Sequence, residues 1–162
     1  MTATANRRVE RCRPADAPAL WALRRERENW LEHRGIVQWP LDSLPLAEVE
    51  EQLAERQWWC VRGNEGIEAA VRVMETDEEF WGADPTPALY LHTLMVALTA
   101  GGIGLPAVLL AHAESIARRS GAAALRLDCV ERLCPFYERH GFAHVRPRVF
   151  PDFTTQLMAR VV

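Results

Sequence analysis

Apolar and polar residues alternate over Val9-Glu10-Arg11-Cys12-Arg13, the period of a half-buried strand. After Pro14-Ala15-Asp16 the period lengthens. Leu20, Leu23, Arg27, Trp30 and Leu31 recur at helical spacing until Gly35, with Arg24, Arg25, Glu26 and Glu28 on the other side, and Asp16 stands where an N-cap belongs. Ser43 is placed to cap a second helix through Leu46, Val49 and Leu53, whose Glu48, Glu50 and Glu51 lie toward its positive end. Trp58 to Arg62 and Ile67 to Met74 predict an antiparallel pair around the turn Gly63-Asn64-Glu65-Gly66, followed by an acidic loop from Glu75 to Asp84. Ala88 to Val96 predicts a strand, Pro106 to Ser120 a helix stopped by Gly121, and Ala124 to Cys129 another strand. Pro135 opens a short helix that Gly141 ends, and Phe142 to Val145 with Thr154 to Val161 form a last antiparallel pair. The order β-α-α-β-β-β-α-β-α-β-β, without repeat or low-complexity linker, predicts an α/β (α+β) domain. Its central sheet is mixed, mostly antiparallel, of about seven strands flanked by about four helices.

The 162 residues, 49% hydrophobic and 25% charged, suit one core and predict a single domain over 1–162. The 19 basic residues, all arginine, against 22 acidic ones leave a net charge of −3, and no basic stripe is present to neutralise a row of phosphates. Nucleic acid is therefore not an expected partner. The longest apolar stretches fall far short of the roughly 18 residues that cross a bilayer, and Met1-Thr2-Ala3-Thr4-Ala5-Asn6-Arg7-Arg8 has no apolar segment of a secretory signal. No membrane association and a cytoplasmic location are expected. Cys12, Cys60, Cys129 and Cys134 form no C-x-x-C pair, so four reduced, mostly buried thiols are expected and no metal site.

Chemistry concentrates after the third of these strands. Leu89-Tyr90-Leu91-His92-Thr93-Leu94-Met95-Val96 runs into Ala97-Leu98-Thr99-Ala100-Gly101-Gly102-Ile103-Gly104-Leu105-Pro106. Glycines at a helix start let backbone N–H groups close on an anion, and the helix dipole adds roughly half a positive charge there. Gly102, Ile103, Gly104 and Leu105 are the expected donors, and Pro106 in the first turn gives up only an N–H without an intrahelical partner. Gly102 to Ala107 also fits the dinucleotide fingerprint G-x-G-x-x-A, with Asp128 closing the next strand; too little chain follows Asp128 for the further parallel strands of that fold. A plain tight turn is the third possibility.

Thr99-Ala100-Gly101-Gly102-Ile103-Gly104 resembles the Q/R-x-x-G-x-G/A loop of the GCN5-related N-acetyltransferase (GNAT) family, with Thr99 in place of the Gln or Arg. Leu125-Arg126-Leu127-Asp128-Cys129, then Phe136-Tyr137-Glu138-Arg139-His140-Gly141-Phe142, is similar to its fifth strand and Y-x-x-x-G-F segment. The stretch from Trp30 to Trp39 resembles the first helix and loop of actinobacterial-type members. The chain departs in its short Val130-Glu131-Arg132 connection, which lacks the Asn often found there. The resemblance implies a sheet splayed between strands four and five and acetyl-CoA as acyl donor. Its pyrophosphate is expected on Gly101, Gly102, Ile103, Gly104 and Leu105, and its pantetheine on the backbone of Leu94, Met95 and Val96. It implies attack on the thioester by a neutral amine, small molecule or peptide, with Tyr137 protonating the leaving thiolate. Homodimers are common in the family.

On the acceptor side, Glu75, Asp77, Glu78, Glu79 and Asp84 beside Phe80 and Trp81 suit a cationic amine, or are simply solvated. Trp30, Trp39, Glu79 and Trp81 are the acceptor-binding candidates. His92 is a base candidate or a packed histidine, His112 a core-boundary residue and His140 a cation at a helix C-terminus. Other functions remain open: an acyl-CoA-binding domain without catalysis, and the dinucleotide-binding domain.

Overall fold

The computed structural model describes residues 7–162; most of the segment Met1 to Arg8, where no secretory signal is expected, lies outside the described residues. The elements are β1 (Val9–Arg11), α1 (Ala17–His33), α2 (Leu46–Ala54), β2 (Trp58–Gly63), β3 (Gly66–Met74), α3 (Glu78–Trp81) and β4 (Ala88–Val96). They continue with α4 (Leu105–Ser120), β5 (Ala124–Cys129), α5 (Cys134–Arg139), β6 (Ala143–Val149) and β7 (Thr154–Val161). The strands form one seven-stranded open sheet in the order β1-β2-β3-β4-β5-β7-β6. β4 and β5 run parallel, Ala88 opposite Ala124 through Leu91 opposite Leu127, and α4 supplies the crossover that such a pair requires. The pairs β1–β2, β2–β3, β5–β7 and β6–β7 are antiparallel. The expected mixed sheet is found, with five α-helices among the described residues. Among those residues no helix is long and apolar enough to cross a membrane.

The chain forms two compact units. One takes the chain up to Arg72 and regains it at Thr93–Leu109; the other comprises Val73–His92 and Leu110–Val162. In the first, Leu20 and Leu23 of α1, Val49 and Leu53 of α2, Trp58 and Cys60 of β2 and Met95 of β4 share one core. Trp58 is fully buried, and its indole N–H is satisfied by Gln52 at 3.0 Å.

Two expected caps are otherwise engaged in this unit. Ser43 does not cap α2, whose N-cap is Pro45; its hydroxyl donates to the buried Glu28 carboxylate at 3.1 Å, which also accepts from Arg24 at 2.9 Å and from the Asp42 N–H at 2.9 Å. A buried carboxylate needs several donors, and that need outweighs a local cap. Asp16 makes no side-chain cap on α1 because its carboxylate accepts from the two terminal guanidinium nitrogens of Arg62, at 3.0 and 2.7 Å, and from the Arg13 N–H at 2.6 Å. Hydrogen bonds from Arg62 hold the Asp16 carboxyl below its usual range. Asp16→Asn is expected to cost about 1–2 kcal/mol. A carboxyl lowered on folding stabilises above its unfolded pKa and stops doing so as pH falls through its folded one. The gap in Tm between parent and variant should therefore be full near pH 6 and close below about pH 4; thermal melts across that range check it.

In the second unit β5 lies between β4 and β7, and Trp81, Ala88, Tyr90, Ala124 and Leu157 pack on one face. The acidic segment is not wholly a loop. Trp81 N–H bonds Asp77 O at 2.9 Å and Gly82 N–H bonds Glu78 O at 2.9 Å, making α3, which Gly82 ends at φ +73°. β6 runs past the expected end at Val145, through Pro147 to Val149, with a register shift between His144 and Arg146. Proline is tolerated there because β6 is the edge strand.

Candidate active site

In the first unit β4 ends in a deformed stretch. Thr93 has φ +52°, costly for a β-branched residue and of the kind held where function requires it. Beyond it Met95 is buried, whereas Leu94 and Val96 are half-buried. Ala97 N–H bonds Glu68 O at 2.8 Å and Leu98 N–H bonds the Glu26 carboxylate at 3.1 Å, so the chain leaves β4 in a fixed direction. A 3-10 turn, Leu98–Ala100, leads into Gly101. Gly102 and Gly104 take φ +77° and +80°, the left-handed region that favours glycine. A Cβ on Gly102 would meet nothing within 4 Å, so conformation and not crowding requires glycine there.

Gly101, Gly102 and Gly104 are exposed and Ile103 is half-buried. Leu105, the first residue of α4, is fully buried. The helix begins one residue before the expected start at Pro106, and its first N–H groups have no intrahelical acceptor. Exposed glycine backbone at the start of a 16-residue helix is a surface fit for a phosphate.

In the second unit α5 places Tyr137. Pro135 sits in the first turn and the His140 and Phe142 N–H groups bond Tyr137 O at 2.9 and 3.1 Å, closing the helix before Gly141. The Tyr137 ring is buried with Phe136 and Phe142 edge-on at 5.0 and 5.8 Å between centroids. Burial, with Cys129 and Asp128 nearby, holds the phenol well above its usual value, so it is protonated at neutral pH. Cys129 Sγ lies 3.9 Å from Cys134 Sγ; all four cysteines are free thiols, three of them buried. His112 is half-buried, at the core boundary as expected. His140 occupies the C-cap of α5, but burial and then Arg139 and Arg160 lower its pKa, so the expected helix-end cation is disfavoured.

The same unit holds a cluster that sequence spacing does not show. His92 Nε2 lies 2.7 Å from Asp77 Oδ2 and Nδ1 lies 3.7 Å from Asp128 Oδ1, while Thr155 Oγ1 donates to Asp128 Oδ2 at 2.8 Å. Phe80 stands edge-on to the imidazole at 5.5 Å. Burial raises the Asp128 pKa above the usual carboxylate value. Beside it Arg126 is buried against Trp81 at 4.7 Å, bonded to Tyr90 Oη at 3.1 Å and to Asp84 at 3.0 Å.

The four acceptor candidates have distinct settings. In the first unit the guanidinium groups of Arg27 and Arg34 both lie over the Trp30 ring, at 4.6 and 4.3 Å, and Trp39 packs on the core with Arg24 over its ring at 4.1 Å. In the second, Glu79 is exposed, its carbonyl accepting from Arg148 at 3.2 Å, and Trp81 is buried, one ring face taken by Arg126. A cavity of about 350 Å³ in that unit is lined in part by Glu75, Asp77, Glu78, Asp84 and Tyr90. Among the described residues no group of three or more His, Cys, Asp or Glu is arranged to hold a metal ion.

The profile of the Acetyltransferase (GNAT) family matches residues 20–142, and the chain belongs to that family. Among solved structures it is similar to a GNAT-family acetyltransferase from Listeria monocytogenes, at 21% identity and TM-score 0.80, covering 100% of this chain and 98% of that one. The yncA structure of Salmonella typhimurium, solved with its cofactor acetyl-CoA, is similar at 14% identity and TM-score 0.73, covering 97% and 94%. PaiA N-acetyltransferase of Thermoplasma acidophilum, solved with coenzyme A, matches at 14% identity and TM-score 0.74, covering 97% and 99%. No curated protein matches the chain in sequence. Members of the family are acyl-CoA-dependent acetyltransferases. The mixed sheet excludes the all-parallel arrangement that the dinucleotide alternative requires.

Proposed function

We propose that the 162 residues act as one N-acetyltransferase domain, moving an acetyl group from acetyl-CoA to the amine of a small molecule or peptide by direct attack. What carries this is the glycine loop: Gly102 and Gly104 hold left-handed conformations in an exposed turn at the start of α4, and nothing lies within 4 Å of where a Cβ on Gly102 would stand, which leaves room there for a pyrophosphate. Gly101, Gly102, Ile103, Gly104 and Leu105 hold that group through backbone N–H donors. The backbone of Leu94, Met95 and Val96 offers strand-like hydrogen bonds to the pantetheine and one N–H to the developing oxyanion. The acyl donor supplies the activated thioester.

Tyr137 gives the departing thiolate its proton. Its own pKa is raised, but dry surroundings raise the basicity of a thiolate as well, which keeps the transfer feasible. Trp30, Trp39, Glu79 and Trp81 serve the acceptor side, Trp81 through its packing on Arg126 and Tyr90. The segment from Trp30 to Trp39 supports an actinobacterial-type member, and four free thiols, three of them buried, suit the reducing conditions of a cytoplasmic location.

Thermal unfolding tests the donor. A ligand at about 100 times its Kd stabilises the folded state by roughly 2.7 kcal/mol, several degrees for a domain of this size. CoA and acetyl-CoA should produce that shift and NAD should not, and 3′-phospho-ADP should give a smaller one because it lacks the pantetheine. A shift with NAD alone defeats the proposal. Thiol release across a panel of primary amines then separates an enzyme from an acyl-CoA-binding domain without catalysis.

A further inference from the structure

We propose that the gap between His92 Nδ1 and Asp128 Oδ1 receives the acceptor as a protonated primary amine, with Asp128 holding the ammonium and His92 taking its proton. The proposal rests on the acetyltransferase function above and identifies the form in which its acceptor arrives. The imidazole is oriented from one side: Asp77 Oδ2 lies 2.7 Å from Nε2, and a neutral ring that donates there has its lone pair on Nδ1. On the other side Asp128 Oδ1 lies 3.7 Å away, too far for a direct hydrogen bond. A nitrogen about 2.8 Å from each atom closes that triangle.

Asp128 is prepared in the same way. Thr155 occupies Oδ2 at 2.8 Å, which leaves Oδ1 for a ligand. Access is on this side, because the side chains of His92 and Asp128 are 15% and 17% exposed while that of Asp77 is 6% exposed. The charged groups facing the ring, among the described residues, are Asp77 from the segment before α3 and Asp128 from β5. Arg126 of β5 is taken up by Tyr90 of β4 and by Asp84; Phe80 of α3 contributes an apolar edge, and Thr155 of β7 is neutral. Two carboxylates around one imidazole, with the neighbouring guanidinium engaged elsewhere, leave a place for one more cation.

The proton accounting is closed. Nδ1 accepts one proton from R–NH3+, and the freed lone pair forms the C–N bond as the thioester C–S bond breaks. The thiolate takes the Tyr137 proton, the second proton lost by nitrogen returns to Tyr137 through solvent, and His92 releases its proton to water. The sum is one amide, one thiol and one proton released. Quaternary ammonium ions have no N–H to give and are excluded from this step.

The test uses the full chain in two measurements. In NMR, n-butylammonium should produce a saturable shift of the His92 imidazole, assigned with His92→Gln, whereas tetramethylammonium should not, and Asp128→Asn should abolish the response. In kinetics with the best primary amine of a thiol-release screen, His92→Gln should lower kcat/KM about 100-fold or more near pH 7. That deficit should shrink toward pH 10, where an alkylamine with a pKa of about 10.4 begins to deprotonate by itself. Asp77 is a positioning residue: Asp77→Asn should lower kcat and displace the acidic limb of the pH profile with little change in KM. Calorimetric CoA affinity should be unchanged in all three variants. A pH-independent loss in His92→Gln, or equal imidazole shifts with both ammonium ions, overturns the proposal. Failure of the parent to bind CoA or to acetylate any amine overturns the acetyltransferase function instead, and the imidazole titration then still decides whether an ammonium binds here.

Discussion

Gly104→Asp is expected to abolish CoA binding while the chain still folds. Two effects combine. Gly104 sits at φ +80°, where an L residue costs roughly 1–2 kcal/mol, and the carboxylate adds a negative charge to a turn proposed to hold a pyrophosphate. At 4 Å and an effective dielectric near 20, each pair of unit charges repels by about 4 kcal/mol, so the electrostatic effect exceeds the strain. Gly104→Asn separates them, because it carries a similar backbone cost without the charge. Calorimetry should give a moderate loss for the Asn variant and no measurable binding for the Asp variant. If CoA binds the Asp variant with the parent's Kd, the loop is not the phosphate site.

The second large effect is expected from Tyr137→Phe. The ring keeps its edge-on contacts with Phe136 and Phe142, so stability and CoA affinity should change little. What is lost is the one proton of the phenol, and general-acid contributions run to about 100-fold or more. The deficit should appear in kcat for thiol release and fall when the acyl donor carries a less basic leaving thiol, which needs no proton. Full turnover by the Phe variant would make Tyr137 a structural residue and assign the proton to another group.

Much of this architecture can be read from the chain because its central elements carry uninterrupted signals. β4 and β5 fall at Ala88–Val96 and Ala124–Cys129 as the pattern predicts, since largely apolar segments ending in a Gly-rich loop or a charged connection leave little choice of boundary. The glycine loop is equally legible: Gly102 and Gly104 are demanded by backbone conformation, and such a demand is written directly in residue type. The misassigned features are those decided by distant partners. Ser43 and Asp16 look like caps because a capping signal is local, yet Glu28 and Arg62, 15 and 46 positions away, claim their side chains. α3 has four residues, too few to show a period. The His92 cluster is invisible in spacing, because Asp77 reaches it from the segment before α3 and Asp128 through the pairing of β5 beside β4. Only the sheet brings them together.

The outer strand of that sheet has a consequence for how the protein behaves in concentrated solution. An unpaired strand edge is a template on which another chain can add by backbone hydrogen bonding. β6 discourages it three times over: Pro147 has no N–H to give, the register shift between His144 and Arg146 spoils the spacing of the ladder, and Arg146 and Arg148 set positive charges along the strand. Fibrous or strand-swapped assembly through β6 is thus opposed by its own sequence, and it is Pro147, with no N–H to offer, that contributes most directly to this protection.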